Sequence, residues 1–303
     1  MSAPRIVVVG DLVYDLLAKL DAVAFGTDTF TPIHVDAGGS GANTAYWLAR
    51  LGAETHFVGR VGDDVFGRYL VDELQSGGAV PHVVQDPSHS TGKVFVMVDG
   101  RGERTMITDR DAGEALSPED LPKDLFREGA HLHLSGYLFL GDSRRETALE
   151  ALRLARDSDM TISVDPPSVP LLEDLGQRKF LEWTKDADLC FPNREEGVFL
   201  SGTEDPNSIA EALVGHYPMV VLKLGAEGAL YANSDGERVL LPAAPAQVVD
   251  ATGAGDALCA GFLASWLSRR SPAVALHKGL ELSAWVLRTM GSRPKEDLPQ
   301  FPI

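Results

Sequence analysis

An α/β fold, with a largely parallel sheet, helices on both faces and a small extra β-sheet, is predicted by three features of the sequence. Short β-branched runs alternate with helix-period segments over most of the chain, which is the pattern of repeated strand–helix–strand units. Runs such as Ile6-Val7-Val8-Val9 are apolar without a break, as befits strands buried on both faces. Two extended stretches, 16–35 and 91–108, interrupt the rhythm and are candidates to pair with each other outside the main sheet.

Taken in order, Ile6–Gly10 reads as a first strand whose end opens toward Asp11 and Asp15. After a turn at Gly26-Thr27-Asp28, Phe30–Val35 alternates like an extended piece. Gly38-Gly39-Ser40-Gly41-Ala42-Asn43 forms a glycine-rich entrance to a helix through Gly52. Next come a strand at His56–Gly62, a helix at Phe66–Gln75, and a hairpin of Thr91–Asp99 and Glu103–Thr108 around Gly100-Arg101-Gly102. The rhythm resumes with strands at His131–Ser135, Met160–Val164, Leu189–Phe191 and Met219–Leu224. Helices are expected at Ser143–Arg156, Phe180–Thr184, Ser208–Val214 and Pro272–Met290, with a hairpin over Ala229–Leu241. One large domain, 1–303, with an accessory sheet suits a 303-residue chain better than two equal halves.

Composition narrows the function. Acidic residues outnumber basic ones 44 to 27, and the net charge of −17 repels nucleic acids and anionic membranes. The apolar run near the start is too short and too acidic for a signal peptide or a spanning helix, so a cytoplasmic enzyme is expected. Cys190 and Cys259 both sit in apolar surroundings and read as reduced core residues.

Chemistry concentrates where predicted strands end. Asp250-Ala251-Thr252-Gly253-Ala254-Gly255-Asp256 is a turn of small residues feeding an apolar helix. Small residues let the backbone close on a ligand, and the free N–H groups of a first helical turn attract anions. Asp256 opposes that attraction unless it acts as a base on a hydroxyl nucleophile; the plain structural reading is an N-cap aspartate. Asn193 and Glu196 are spaced to share one helical face, which suits a hydrated Mg²⁺ on phosphates or, more simply, a helix cap. Lys223-Leu224-Gly225-Ala226-Glu227-Gly228 ends a strand in a turn whose backbone suits a nucleotide. No Gly-Lys-Ser/Thr P-loop occurs, and the first strand lacks a dinucleotide fingerprint. His131 and His133 share one face of a strand with no carboxylate cluster beside them, and read as ordinary strand residues.

Four of these stretches, in this order, resemble the ribokinase or PfkB-type carbohydrate kinases: Gly38–Asn43 with its helix, Asn193-x-x-Glu196, Lys223-Leu224-Gly225, and Asp250–Asp256. The resemblance covers nearly the whole chain. It implies a Rossmann-like α/β domain with a β-sheet lid, here about 16–35 and 91–108, and ATP-dependent phosphorylation of a hydroxymethyl group on a sugar-like acceptor. It implies that Asp256 is the base and that Gly253, Ala254 and Gly255 form the anion hole. Asp15, Gly39 and Asn43 match acceptor-binding positions. Asn193, Lys223, Gly225 and Gly228 match the nucleotide side, with Glu196 holding Mg²⁺ through water. Asp250 and Thr252 fall where a monovalent cation such as K⁺ binds in many members, and Lys295 falls near enough by spacing for its ammonium to be a candidate substitute. Members often form homodimers through the lid.

Ser40 replaces the lysine of many ribokinases, and Ala251 departs from the usual residues of its motif. Arg101, Arg104 and Arg110 gather on or after the lid hairpin. An arginine facing the site would suit an acidic sugar such as 2-keto-3-deoxygluconate or a sugar phosphate, with Arg110 the foremost candidate. Without one, a neutral sugar or a nucleoside is favoured. The competing reading is a sugar- or nucleotide-binding regulator that keeps the fold without catalysis.

Overall fold

The computed structural model describes residues 3–20, 22–99, 104–296 and 298. The chain begins with β1 (Arg5–Val9), then enters a small sheet through β2 (Val13–Lys19) and β3 (Ile33–Gly38). Helix α1 (Ser40–Arg50), β4 (Glu54–Gly62), α2 (Val65–Ser76) and β5 (Val80–Asp86) follow. The chain then returns to the small sheet as β6 (Lys93–Val98) and β7 (Arg104–Asp109). The second half runs β8 (His131–Ser135), α3 (Asp142–Asp157), β9 (Thr161–Asp165), α4 (Val169–Leu175), α5 (Gln177–Trp183), β10 (Leu189–Cys190), α6 (Arg194–Ser201), α7 (Pro206–Val214) and β11 (Met219–Lys223). It ends with the hairpin β12 (Ala229–Asn233) and β13 (Arg238–Leu241), then α8 (Ala254–Leu267) and α9 (Pro272–Val286).

The nine-stranded sheet has the order β13-β12-β11-β10-β9-β8-β1-β4-β5. Every pair from β11 to β5 is parallel, and β12 and β13 extend it antiparallel. Strand β1 shows why both faces are covered. Val7 and Val9 join one apolar cluster with α3, α5 and α7, while Ile6 and Val8 join another with α1, α2, α8 and α9. Cys190 and Cys259 are buried free thiols.

In the small sheet, of order β3-β2-β6-β7, β2 is antiparallel to β3 and parallel to β6. Val13, Leu17, Val94 and Val96 form its own apolar cluster. Asp15 lies between Val13 and Leu17 on the same strand face, so period-two alternation turns a buried carboxylate inward. The turn 100–102 of the expected hairpin lies outside the described residues.

Three elements depart from the sequence expectation. Strand β5 was not anticipated: it contains Pro81, but it is the outermost strand, where a proline's missing donor costs no ladder bond. Helix α4 starts at Ser168-Val169-Pro170 and is too short, at 7 residues, to show a clear apolar period, whereas α6 starts at the Asn193 cap that the sequence offered. The last helix ends at Val286, before Gly291.

Candidate active site

The C-terminal ends of β1, β9 and β11 deliver Asp11, Asp165 and Lys223 to one edge of the large sheet, and the N-termini of α1 and α8 meet there. Gly253 sits at φ 75°, a conformation costly for any residue with a side chain, and a Cβ there would come within 2.5 Å of Ser292 Cβ. It is the N-cap of α8, so Ala254, Gly255 and Asp256 form the helix's first turn.

Asp256 is pinned from two sides. Ser40 Oγ donates to its Oδ1 at 2.8 Å, and Asn43 Nδ2 donates to its Oδ2 at 2.8 Å. Burial and the nearby Asp165 push its pKa up to about 6, against the opposing pull of Asn43, Ser40 and Lys223. Such a carboxylate is ionised at neutral pH and still able to take a proton.

Gly39, the N-cap of α1, has φ 99°, and a Cβ there would strike the Asp11 carbonyl oxygen; the chain crosses itself closely at this point. Asn43 is 4 % exposed. Its Oδ1 accepts from Arg293 Nε at 2.9 Å and lies 3.0 Å from Ser292 Oγ, which leaves Nδ2 facing Asp256. Asp15 pairs in register with Asp36 of β3, and burial plus Asp36 raise its pKa to about 7, with Arg293 pulling the other way. Burial likewise raises Asp36, which accepts from the Ala37 and Ser292 amides at 2.9 Å each.

On the other side, Lys223 Nζ donates to Asp165 Oδ1 at 2.7 Å and would lie 3.5 Å from a Cβ on Gly255. Burial opposes its charge, but Asp165, Cys259 and Glu196 raise its pKa, so it stays cationic. Asn193 bridges to Lys223 across adjoining strands and caps α6 in a reciprocal box. Its side chain accepts from the Glu196 amide, while Glu196 accepts from Asn193 N and Nδ2 at 2.8 and 2.6 Å. Glu196 is buried, and its pKa is raised to about 8 by that burial against Lys223. Gly225 and Gly228 shape the turn from β11 into β12, with Leu224 N donating to Gly228 O at 2.9 Å.

Asp250 holds its own loop and ties it to the C-terminal segment. Oδ1 accepts from Thr252 N and Oγ1 at 2.9 and 2.7 Å, and Oδ2 accepts from Gly291 N at 2.9 Å. Lys295 does not join it: its side chain is 72 % exposed and pairs with Glu73 at 3.5 Å, so spacing from Gly291 misplaced it. The buried cation of this C-terminal segment is Arg293.

Arg110 reaches the cluster from the end of β7. It ion-pairs with Asp11, lies 5.0 Å over the Tyr137 ring, and keeps a pKa of about 10 under burial and the repulsion of Arg144. Arg144 in turn contacts Asp11 at 3.3 Å and Glu114 at 2.7 Å. Arg110 also lines a cavity of about 680 Å³ with Asp109, Asp111 and Glu114. Arg101 lies outside the described residues.

His131 and His133 are buried strand residues, bonded to Thr161 and Ser163, with pKa values lowered by burial to about 3 and about 4. Among the described residues no group of three or more His, Cys, Asp or Glu is arranged to hold a metal.

The residues that sequence reasoning missed are Asp36, Arg144, Ser292 and Arg293. The pairing of β2 with β3 brings in Asp36, helix α3 carries Arg144, and the return of the chain after α9 brings in Ser292 and Arg293.

Residues 3–298 match the model of the pfkB family carbohydrate kinases. The chain is 34 % identical over 278 residues to a fructokinase of Klebsiella pneumoniae, covering 88 % of this chain and 86 % of that protein. Adenosine kinase from Sinorhizobium meliloti superposes with a TM-score of 0.89 at 26 % identity, covering 98 % and 97 % of the two chains. A Vibrio cholerae fructokinase, crystallised with fructose, ADP and calcium ion, gives 0.84 at 26 %, covering 96 % and 95 %. With its nine-stranded sheet, its accessory sheet and these relatives, the chain belongs to the pfkB family of carbohydrate kinases and is an ATP-dependent sugar kinase of the ribokinase type.

Proposed function

We propose that the enzyme transfers the terminal phosphoryl group of ATP to a hydroxymethyl oxygen of a neutral sugar, with Asp256 as the base. The observation that carries this reading is Asp256 held between Ser40 and Asn43 on the first turn of α8, its pKa raised to about 6. A base works best with a pKa near the working pH and contributes about 10²–10⁴ in rate.

In this reading Asp15, Gly39 and Asn43 hold the acceptor so that one hydroxyl faces Asp256. The amides of Gly253, Ala254 and Gly255 receive the negative charge of the transferring group, and such preorganised donors are worth about 10²–10³ each. Lys223, beside Gly255, adds a positive charge on the nucleotide side, and the turn of Gly225 and Gly228 offers its backbone to the nucleotide.

Glu196 is buried and Asn193 half-buried, both bear oxygen donors, and among the described residues no group of three or more His, Cys, Asp or Glu completes a cage around them. That donor set fits a Mg²⁺ that keeps its waters and is shared with phosphates. When bound with ATP, the ion supplies neutralisation of phosphate charge. Asp250 and Thr252 are the proposed neighbours of a monovalent cation; equal rates in potassium and in a bulky organic cation would remove that assignment.

Arg110 and Arg144 already face Asp11 and Glu114, two cations against two anions, which supports a neutral acceptor over an acid. Likeness to an adenosine kinase supports a nucleoside as the second candidate. Ile33, Val35, Met106 and Ile107 stand exposed on the outer strands of the small sheet, which supports a homodimer through it; a monomer by sedimentation would dismiss it. ATP as co-substrate supports a cytoplasmic setting.

Acceptor-dependent ADP release over a panel of fructose, ribose, 2-keto-3-deoxygluconate, adenosine and a sugar phosphate tests the reading. We expect the highest kcat/KM with a neutral sugar. Release with none of them, alongside measurable sugar binding, would make the protein a regulator instead.

A further inference from the structure

We infer that Arg293 is the positioning residue of the acceptor side: it fixes the Asn43 amide toward Asp256 and supplies the positive charge beside the facing carboxylates of Asp15 and Asp36. The inference rests on the site reading above, in which Asp256 takes the acceptor's proton next to Asn43.

Three observations support it. First, the Asn43 carbonyl oxygen has two acceptor sites, and Arg293 Nε at 2.9 Å and Ser292 Oγ at 3.0 Å converge on it. Ser292 Oγ can also donate to Ala37 O, but a guanidinium cannot accept, so flipping the amide would set its NH₂ against Arg293, and Nδ2 is committed to Asp256 at 2.8 Å. Secondly, Asp15 and Asp36 stand directly opposite in the β2–β3 register, where like charges repel. Arg293 is 2 % exposed and offsets that repulsion for both. Thirdly, the guanidinium is anchored by Gly38 O at 3.3 Å and by the Tyr46 ring at 5.4 Å, yet Nη1 is buried without a hydrogen-bond partner. A donor left bare in this way is costly. An arginine serving only to hold the C-terminal segment in place would be expected to use it.

The chain therefore carries, in Gly291-Ser292-Arg293, a brace from its C-terminal segment to the base. Gly291 N and Ser292 N hold Asp250 and Asp36 while Arg293 holds Asn43.

The test is steady-state kinetics of full-length Arg293→Met, with ATP and with the best acceptor from the panel, alongside Asp256→Asn. Misplacing a reacting geometry by about 1 Å can cost about 10²-fold, so we expect kcat/KM for the acceptor to fall by that order while KM for ATP changes less than about twofold. Arg293→Lys, which keeps the charge and loses the fork, should recover part of the loss, and free guanidinium ion should partly restore Arg293→Ala where sodium chloride does not. A folded Arg293→Met with unchanged acceptor kinetics, or with equal losses for ATP and acceptor, overturns the inference. If Arg293→Met does not fold, Arg293→Lys is read by the same split. An active Asp256→Asn would instead overturn the site reading itself, whatever Arg293 does.

Discussion

The two sides of the site are built in different ways. The phosphate side is local: Gly253 to Asp256 are consecutive, Asn193 and Glu196 are one helical turn apart, and Lys223 ends the strand beside them. The acceptor side is assembled from four elements, with Asp15 from β2, Asp36 from β3, Asn43 from α1 and Arg293 from the chain after α9, some 250 residues away from the rest. Their charge differs too. Lys223 is closely paired with Asp165 at 2.7 Å, whereas Asp15 and Asp36 face each other and share one buried arginine. A backbone cradle can be specified by a short motif, because its geometry is set within one turn. A charge cluster can be specified only by the tertiary fold.

Substitutions on each side should break in different ways. The largest effect is expected for Asp256→Asn, with kcat down about 10²–10⁴-fold and sugar binding kept, since only the proton acceptor is lost; near-normal turnover would contradict the role. Lys223→Met should follow, with kcat down about 10²-fold, because Asp165 is left as an unpaired buried charge and the phosphate side loses its cation. A loss confined to KM for ATP would move Lys223 from the transferring group to ground-state nucleotide binding.

Asp15→Asn should show the opposite balance. The folded pKa of Asp15, about 7, lies above its ordinary value of 3.8, so the folded state holds the proton more tightly than the unfolded one. Stability from this group is therefore present at low pH and lost as pH rises from about 4 to about 7. At pH 8 the asparagine variant should melt later, by roughly 1–3 kcal/mol of stability, while KM for the acceptor rises. Thermal unfolding at pH 5 and pH 8 checks the sign: no gain at the higher pH would mean that Arg293 already compensates Asp15 in full.

The same contrast explains what was legible in the sequence. Alternating strands and helices, the glycine turns and the carboxylate of Asp256 are local signals, and they located the large sheet and the phosphate side. Strand β5 was hidden by Pro81, because edge position is a property of the sheet and not of the segment. Arg293 was hidden for a related reason. Lys295 follows only two residues after Arg293, but the segment turns Arg293 inward and leaves Lys295 on the surface with Glu73, and spacing alone cannot choose between them. Arg110 was picked out by its place after β7, but its partner Asp11 decides what its charge is free to do.

The most direct measurement is the pH dependence of kcat/KM for the acceptor at saturating nucleotide. Asp256, with its pKa raised to about 6, must be ionised to take the proton, so the profile should rise with pH along an acid limb centred near that value. A rate that stays flat from pH 8 down to pH 5 would contradict a carboxylate base at Asp256.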